Sequence, residues 1–470
     1  MTGLLHEKEF SRKTFLKGGG AMVVGLSMAG VGLAGKAQAA DSPYASYGPY
    51  DTSQVDSWLV IHADNTASLK HGNAEAGTGA TTGLQIIAAE ELDMEMSQLR
   101  TIDPDTNVTQ STSVGSSNSI RVWGPRVRAS AAYAKQALLG LAASSLGVPV
   151  SSLSVKSGVV SGGGKTVTYG QLIGDRLFNV SMARPTLQAG EGPAKPVSEY
   201  KLVGTTVPRI NIPDKVTGKA VYAQDIKLPG MLHGRIVRPR GQTVWGAGAP
   251  VVSVDESSIK HLPNVQVVRR GDFIGVVAPH EYDAIQAAAQ LKVKWADPPG
   301  LLPGHGNQYK RMREVDSAGQ DATQAYIQDS GVPKVDVALA GAAKVLSQTY
   351  LWPYQGHMPL GPYCSVADVT PDGAVVYAFS QGIYGVRTAV AQITGLPETK
   401  VHAIWVGGAS GFSAPFTEPA AAAALMSQIV GKPVRVQFMR WDDHGWDSYG
   451  QAMIVDVTAG IDSHGNMVGF

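Results

Sequence analysis

The chain has 470 residues, which at roughly 150 residues per domain suggests about three domains. Apolar residues make up 44% and charged residues only 16%, with 39 basic against 38 acidic side chains, which is too apolar for disorder and too balanced for a dedicated nucleic-acid binder. The single cysteine, Cys364, excludes an internal disulfide, a cysteine-ligated Fe–S cluster and a c-type haem attachment, so any redox chemistry must send its electrons out through another chain.

At the N-terminus, Ser11-Arg12-Lys13-Thr14-Phe15-Leu16-Lys17 precedes a mildly apolar run, Ala21 to Ala34, and the small-x-small site Ala37-Gln38-Ala39. Basic, apolar and cleavage regions in that order spell an export signal over residues 1–39, and Arg12-Lys13 before Phe-Leu-Lys matches a twin-arginine signal with lysine in second place. The run is shorter than the ~20 apolar residues a membrane span needs.

From Trp58, alternation through Leu59-Val60-Ile61 and the Asp64-Asn65 turn predict a strand–turn–strand. Apolar spacing at Leu84, Ile87, Ala88 and Leu92 predicts a helix, and a second helix fits Val127 to Leu146, stopped by Gly147 and Pro149. Residues 181–200, rich in proline and glycine, read as a linker. The next segment, about 201–297, is strand-rich: Ala220–Ala223, Gly234–Arg238, Val265–Val268 and Lys292–Trp295, with a helix near Tyr282–Leu291. A connector around Pro298-Pro299-Gly300 leads to a third segment from about 338. There helices fit Tyr384–Thr394 and Glu418–Val430, the latter with Pro419 in its first turn and Gly431 past its end.

Three glycine-bearing turns could carry chemistry. Gly77-Thr78-Gly79 with Thr81 leads from a strand into a helix, where free amides favour an anion, and the same letters also spell a capped turn. Gln381-Gly382 ends the Val375–Phe379 strand, where the glutamine is either a polar ligand contact or a helix cap. Gly407-Gly408 and Gly411-Phe412 follow the Val401–Val406 strand. Cys364 lies in a strand pattern and reads as core. The acidic trio Asp442, Asp443 and Asp447 reads as a solvated loop, and no metal cage is readable among the 11 histidines.

These residues carry a resemblance. Glu75-Ala76-Gly77-Thr78-Gly79, Ala88-Ala89-Glu90-Glu91-Leu92-Asp93, Asp105-Thr106, Lys215-Val216-Thr217-Gly218, Tyr222-Ala223-Gln224-Asp225-Ile226, Pro229-Gly230-Met231-Leu232-His233, Gly361-Pro362-Tyr363-Cys364, Ser380-Gln381-Gly382 and Lys432-Pro433-Val434-Arg435 occur in family order. The chain resembles the molybdopterin-binding large subunits of the molybdenum hydroxylases (the xanthine dehydrogenase and aldehyde oxidase superfamily), above all their exported isoquinoline oxidoreductase and nicotinate dehydrogenase branch.

The resemblance implies a multi-domain α+β fold in which molybdopterin-domain segments at 56–180 and 338–470 flank an a/b hammerhead domain at 203–297. It implies a molybdopterin cofactor, as its cytosine dinucleotide, approached by Gly77, Thr78, Gly79, Thr81, Gln381, Gly382, Gly411 and Phe412. The implied reaction is oxidation of an aldehyde or N-heteroaromatic carbon with oxygen from water, electrons passing to an Fe–S small subunit and a cytochrome c subunit. A periplasmic location, with membrane association through partner subunits, goes with it. Two departures stand out. The family's Gly-Phe-Gly turn reads Gly411-Phe412-Ser413, and the family's catalytic glutamate belongs to a C-terminal half beyond Phe470. The expectation is therefore a second chain supplying that domain, or a truncated product, with no catalytic residue named here. The alternative is a cofactor-free structural subunit or relic of the family.

Overall fold

The computed structural model describes residues 51–239, 249–297, 305–314, 335–408, 417–446 and 449–470. The signal-like segment 1–39, the Gly411-Phe412 turn and Asp447 lie outside these residues.

The Asp64-Asn65 turn makes the expected hairpin, with Asn65 at a positive φ of 65°. Strand β1 (Leu59–Ile61) pairs antiparallel with β2 (Ala67–Leu69), and β3 (Leu99–Thr101) adds parallel to β2. Helix α1 (Ala80–Leu92) and the longer α2 (Gly124–Leu146) pack beside them; α2 carries proline in its first turn and ends on Gly147 in the left-handed region. A meander of β4 (Ser154–Lys156), β5 (Val159–Gly162) and β6 (Lys165–Thr168) closes the segment. Its core gathers Trp58, Leu59, Leu84, Leu92, Leu138 and Tyr169, all fully or almost fully buried. Each such side chain contributes about 2 kcal/mol of apolar burial.

The stretch expected as a linker, 181–200, is pinned to α1 instead. Lys195 Nζ reaches Glu90 Oε1 at 3.1 Å and Asp93 Oδ1 at 2.6 Å. Glu90 Oε2 accepts the amides of Lys201, Leu202 and Val203 at 2.6 to 3.0 Å. A buried carboxylate needs such donors, and the proline- and glycine-rich stretch can bend to supply them.

The remaining strands are β7 (Leu232–Val237), β8 (Val251–Asp255), β9 (Gln266–Arg270) and β10 (Phe273–Ala278), then, after helix α3 (Glu281–Gln290), β11 (Lys292–Trp295) and β12 (Lys344–Trp352). There follow β13 (Cys364–Thr370), β14 (Gly373–Ala378), α4 (Ile383–Thr394), β15 (Val401–Trp405), α5 (Glu418–Val430), β16 (Val434–Gln437), α6 (Arg440–Trp446), β17 (Met453–Ile461) and β18 (Met467–Gly469). Seven of them form one sheet in the order β15-β14-β13-β16-β7-β10-β9. The sheet crosses the Pro298–Gly300 connector: β16 runs parallel to β7 with Val434 opposite Leu232, and the Leu232 amide donates to the Pro433 carbonyl at 2.8 Å. Helices α4 and α5 cover it with Ile383, Val386, Val390, Ala420, Ala423 and Met426. A separate sheet, β12-β17-β18, leaves every residue of β12 exposed.

Two local expectations are corrected. Ala220–Ala223 is not a strand: Asp225 Oδ2 accepts the Tyr222 amide at 2.9 Å, closing a tight turn, and only Tyr222 bridges to Gly407. Asp442 and Asp443 are not in a solvated loop but buried in α6. Asp442 Oδ1 lies 3.3 Å from Arg238 Nε, Glu418 Oε1 takes Arg238 Nη1 at 2.5 Å, and the guanidinium sits between the Phe438 and Trp446 rings. The paired cation makes the acidic helix buriable.

Candidate functional site

Residues 72–79 bring the chain from β2 to the start of α1, and Gly79 precedes that helix at φ 78°, a conformation a side chain disfavours. The carboxylate of Glu75 folds back over this turn. Its Oε1 accepts the amides of Gly77 and Gly79, both at 2.9 Å. Its Oε2 accepts the Thr81 hydroxyl at 2.8 Å and the Thr81 amide at 3.3 Å. Arg209 Nη2 stands 3.5 Å away, and Arg209 Nη1 donates to the Gly77 carbonyl. Burial alone would raise the Glu75 pKa, yet the Gly79 and Thr81 donors and Arg209 outweigh it and hold the carboxyl below its usual value. The helix start thus already carries an anion from the chain itself.

On the other side of this turn lies a cavity of about 640 Å³. Gly77, Thr81 and Glu75 form one wall, Asn211, Lys215 and Lys219 a second, and Phe379, Trp405, Gly407 and Gly408 a third. The Tyr222–Gly407 bridge ties the second wall to the third. Gly408 is needed there because a Cβ would run into the Cβ and Cγ of Phe379. Asp103 also faces the cavity, its pKa raised by burial and by the nearby Glu75 charge. The amide of Asn211 has both Nδ2 and Oδ1 buried with no protein partner, and Trp405 Nε1 is in the same state.

Of the residues that the sequence singles out, Gly77 and Thr81 line this cavity, whereas Thr78 is exposed and Gly79 turns its amide to Glu75. Gln381 and Gly382 sit behind the Phe379 wall. The Gln381 carbonyl accepts the Val114 amide at 3.0 Å, and the Gly382 amide donates to Ser380 Oγ at 2.9 Å. Gly411 and Phe412 fall outside the described residues. Sequence reasoning misses Asn211, Lys215, Lys219, Asp103 and Trp405 as site residues. Lys215 stands within a matched motif, and the others carry no local pattern. Cys364 is buried in β13, and burial pushes its thiol up to about 12. Among the described residues no group of three or more His, Cys, Asp or Glu side chains has metal-binding geometry.

Comparison with known proteins gives the family of the chain. The family description "Molybdopterin cofactor-binding domain" matches residues 5–218 and, as a second such domain, residues 319–470. The chain is 33% identical over 424 residues to a subunit of the nicotinate dehydrogenase of Pseudomonas putida, covering 88% of this chain and 34% of that protein. It is 26% identical to the beta subunit of the isoquinoline 1-oxidoreductase of Brevundimonas diminuta, covering 96% of this chain and 62% of the relative. Among solved structures, quinoline 2-oxidoreductase from Pseudomonas putida 86 aligns with a TM-score of 0.44 at 20% identity, over 56% of this chain and 38% of that one. The chain thus spans between a third and two thirds of the length of these curated relatives. With two molybdopterin cofactor-binding domain matches that together span most of its length, the chain belongs to the molybdopterin cofactor-binding family.

Proposed function

We propose that the chain is one part of a molybdenum hydroxylase large subunit and that the cavity beside Gly77 and Gly407 receives its molybdopterin. The observation that carries this reading is the donor set of the cavity. Lys215 and Lys219 offer positive charge to a phosphate, and Asn211 and Trp405 stand on the cavity's walls beside them. Gly407-Gly408 brings main chain to the wall without a side chain in the way. When bound, the group supplies two-electron oxidation of a substrate carbon with oxygen from water. The chain's own residues bind, orient and neutralise it. Gln381, Gly382, Gly411 and Phe412 would approach it from neighbouring turns, as the family resemblance implies. No proton-accepting residue of this chain is assigned.

The finer reading is a cofactor in its cytosine dinucleotide form acting on an aldehyde or N-heteroaromatic carbon. The names of the nicotinate and isoquinoline relatives favour the heteroaromatic class. Electrons would leave to an Fe–S subunit and a cytochrome c, since one buried cysteine cannot carry them onward. The Arg12-Lys13 signal pattern supports periplasmic export, with membrane association through partners.

A second reading, a cofactor-free structural subunit, is favoured by one observation: Glu75 already takes the Gly77, Gly79 and Thr81 amides. Elemental and pterin analysis of the exported protein, purified with its co-expressed partner chains, decides between them. Stoichiometric molybdenum with a pterin dinucleotide is expected; their absence overturns the first reading.

A further inference from the structure

We propose that a second copy of this chain pairs with β12, edge to edge and antiparallel, about a two-fold axis at Gln348. The inference stands apart from the proposed function and concerns the sheet β12-β17-β18.

The seven-stranded sheet shows how this chain protects a strand edge. Its edge strand β15 is covered by residues 104–106: the Trp405 amide donates to the Pro104 carbonyl at 2.8 Å, and the Thr106 amide to the Ala403 carbonyl at 3.0 Å. The opposite edge, β9, ends on exposed Arg269 and Arg270, charges that discourage a further strand. β12 has neither device. It runs nine residues against β17 without a bulge, and no other described strand pairs with it. It holds no proline and a single charge, Lys344, at its first position. Val345, Leu346, Tyr350, Leu351 and Trp352 are 45% to 64% exposed. Unpaired amides and carbonyls along a long, apolar edge are a template for another strand.

The pattern along β12 says which strand fits. One face is already used within the chain: Ser347 Oγ lies 2.9 Å from Thr458 Oγ1, Thr349 Oγ1 donates to Asp456 Oδ1 at 2.7 Å, and Arg313, from the helix Gln308–Glu314, pairs with Asp456 at 2.9 Å. The other face sets Leu346, Gln348, Tyr350 and Trp352 beside Ala459, Val457, Val455 and Met453. An antiparallel copy centred on Gln348 overlaps the whole of β12. Leu346 of each copy then lies opposite Tyr350 of the other, Val345 opposite Leu351, and Ser347 opposite Thr349. Apolar meets apolar and hydroxyl meets hydroxyl. The two lysines stay at opposite ends, each facing a Trp352 ring, which accepts a cation. The two sheets join into one, with a continuous apolar face. A two-fold axis thus makes this strand its own complement.

The test is analytical sedimentation of the full purified chain over a range of concentrations, with Gln348→Lys and Gln348→Glu as variants. The wild type is expected to pass from monomer to dimer as concentration rises. Each variant sets like charges opposite one another at the axis and should weaken dimerisation severalfold. An equimolar mixture of the two should return to the wild-type strength, because lysine then faces glutamate. Gln348 is exposed, so both variants should melt with the wild type. A wild type that stays monomeric at every concentration overturns the inference and leaves β12 to a chain of different sequence. Variants that dimerise like the wild type overturn it by placing the contact elsewhere. A mixture as weak as its components also overturns it, since a register centred on position 348 brings the two substitutions together.

Discussion

The Gly79 amide donates to Glu75 Oε1 at 2.9 Å, so the donor at the very start of α1 is satisfied by a carboxylate four residues upstream. Glycine-rich turns before helices favour anions because several amides point one way. Here the anion is covalently attached, and the turn is rigid before any ligand arrives.

This assignment predicts that Glu75→Ala destabilises the chain by about 2–4 kcal/mol, since it strands three amides and the Thr81 hydroxyl. Glu75→Gln keeps one accepting oxygen and should lose about half as much. The carboxyl is held below its ordinary 4.5 in the folded chain, so its contribution is full above that pH and is lost as acid protonates it. Urea midpoints of the three proteins at neutral pH check the order; a Glu75→Ala midpoint equal to wild type would remove the turn's structural rationale.

His71 gives a pH dependence of the same sign from a neighbouring position, beginning at higher pH. It is fully buried and accepts the Asn73 amide on Nδ1 at 2.8 Å. Burial lowers its pKa from 6.5 to about 4, against a smaller opposing pull from Glu75. The unfolded chain therefore binds a proton between pH 6.5 and 4 that the folded chain refuses. Stability should fall by about 3 kcal/mol across that window through this residue. Urea unfolding of the wild type and His71→Gln at intervals of pH tests it. The wild type should lose more than the variant on acidification, and parallel curves would count against a buried neutral imidazole.

Much of the secondary structure is legible locally because its signals are local. Pro419 and Gly431 bracket α5, Gly147 stops α2, and Lys292–Trp295 alternates as a strand should. What joins the segments is not local. The β16–β7 pairing brings Val434 to Leu232 across about two hundred residues, and no hydrophobic period records which strand will neighbour which. Buried charge is hidden for the same reason: Asp442 reads as solvent-facing until Arg238 arrives from β7's end, and Lys195 reads as linker until α1 presents Glu90 and Asp93. At the site, the glycine turn is legible as an anion-favouring helix start but not as one occupied by Glu75. Asn211 and Lys219 acquire meaning only when their loop packs against Gly407.

Cys364 should be chemically silent in the folded chain. It is 3% exposed in β13, and burial pushes its thiol up to about 12, so almost none is thiolate at neutral pH. Iodoacetamide followed by mass spectrometry should find no label under native conditions and one label in guanidinium. Rapid native labelling would mean that β13 opens readily.

Gly408 tests the cavity wall by addition rather than removal. A methyl at this position falls onto the Cβ and Cγ of Phe379, the stiff root of the ring, so it cannot be relieved by swinging a side-chain tip. Nor can the ring withdraw easily: Phe379 is 4% exposed, with Tyr363 at 6.4 Å on one side and Trp405 at 6.2 Å on the other. Gly408→Ala should therefore cost about 1–3 kcal/mol from overpacking. Phe379→Ala should cost about 3–5 kcal/mol from the void it leaves. The double variant should cost about 1 kcal/mol less than the two together, because alanine at 379 removes the Cγ that the added methyl meets and leaves only the Cβ contact. Denaturant unfolding of the four proteins measures this coupling. Strict additivity would mean that the Gly407-Gly408 turn shifts away from Phe379 on its own, and with it the wall that carries Trp405.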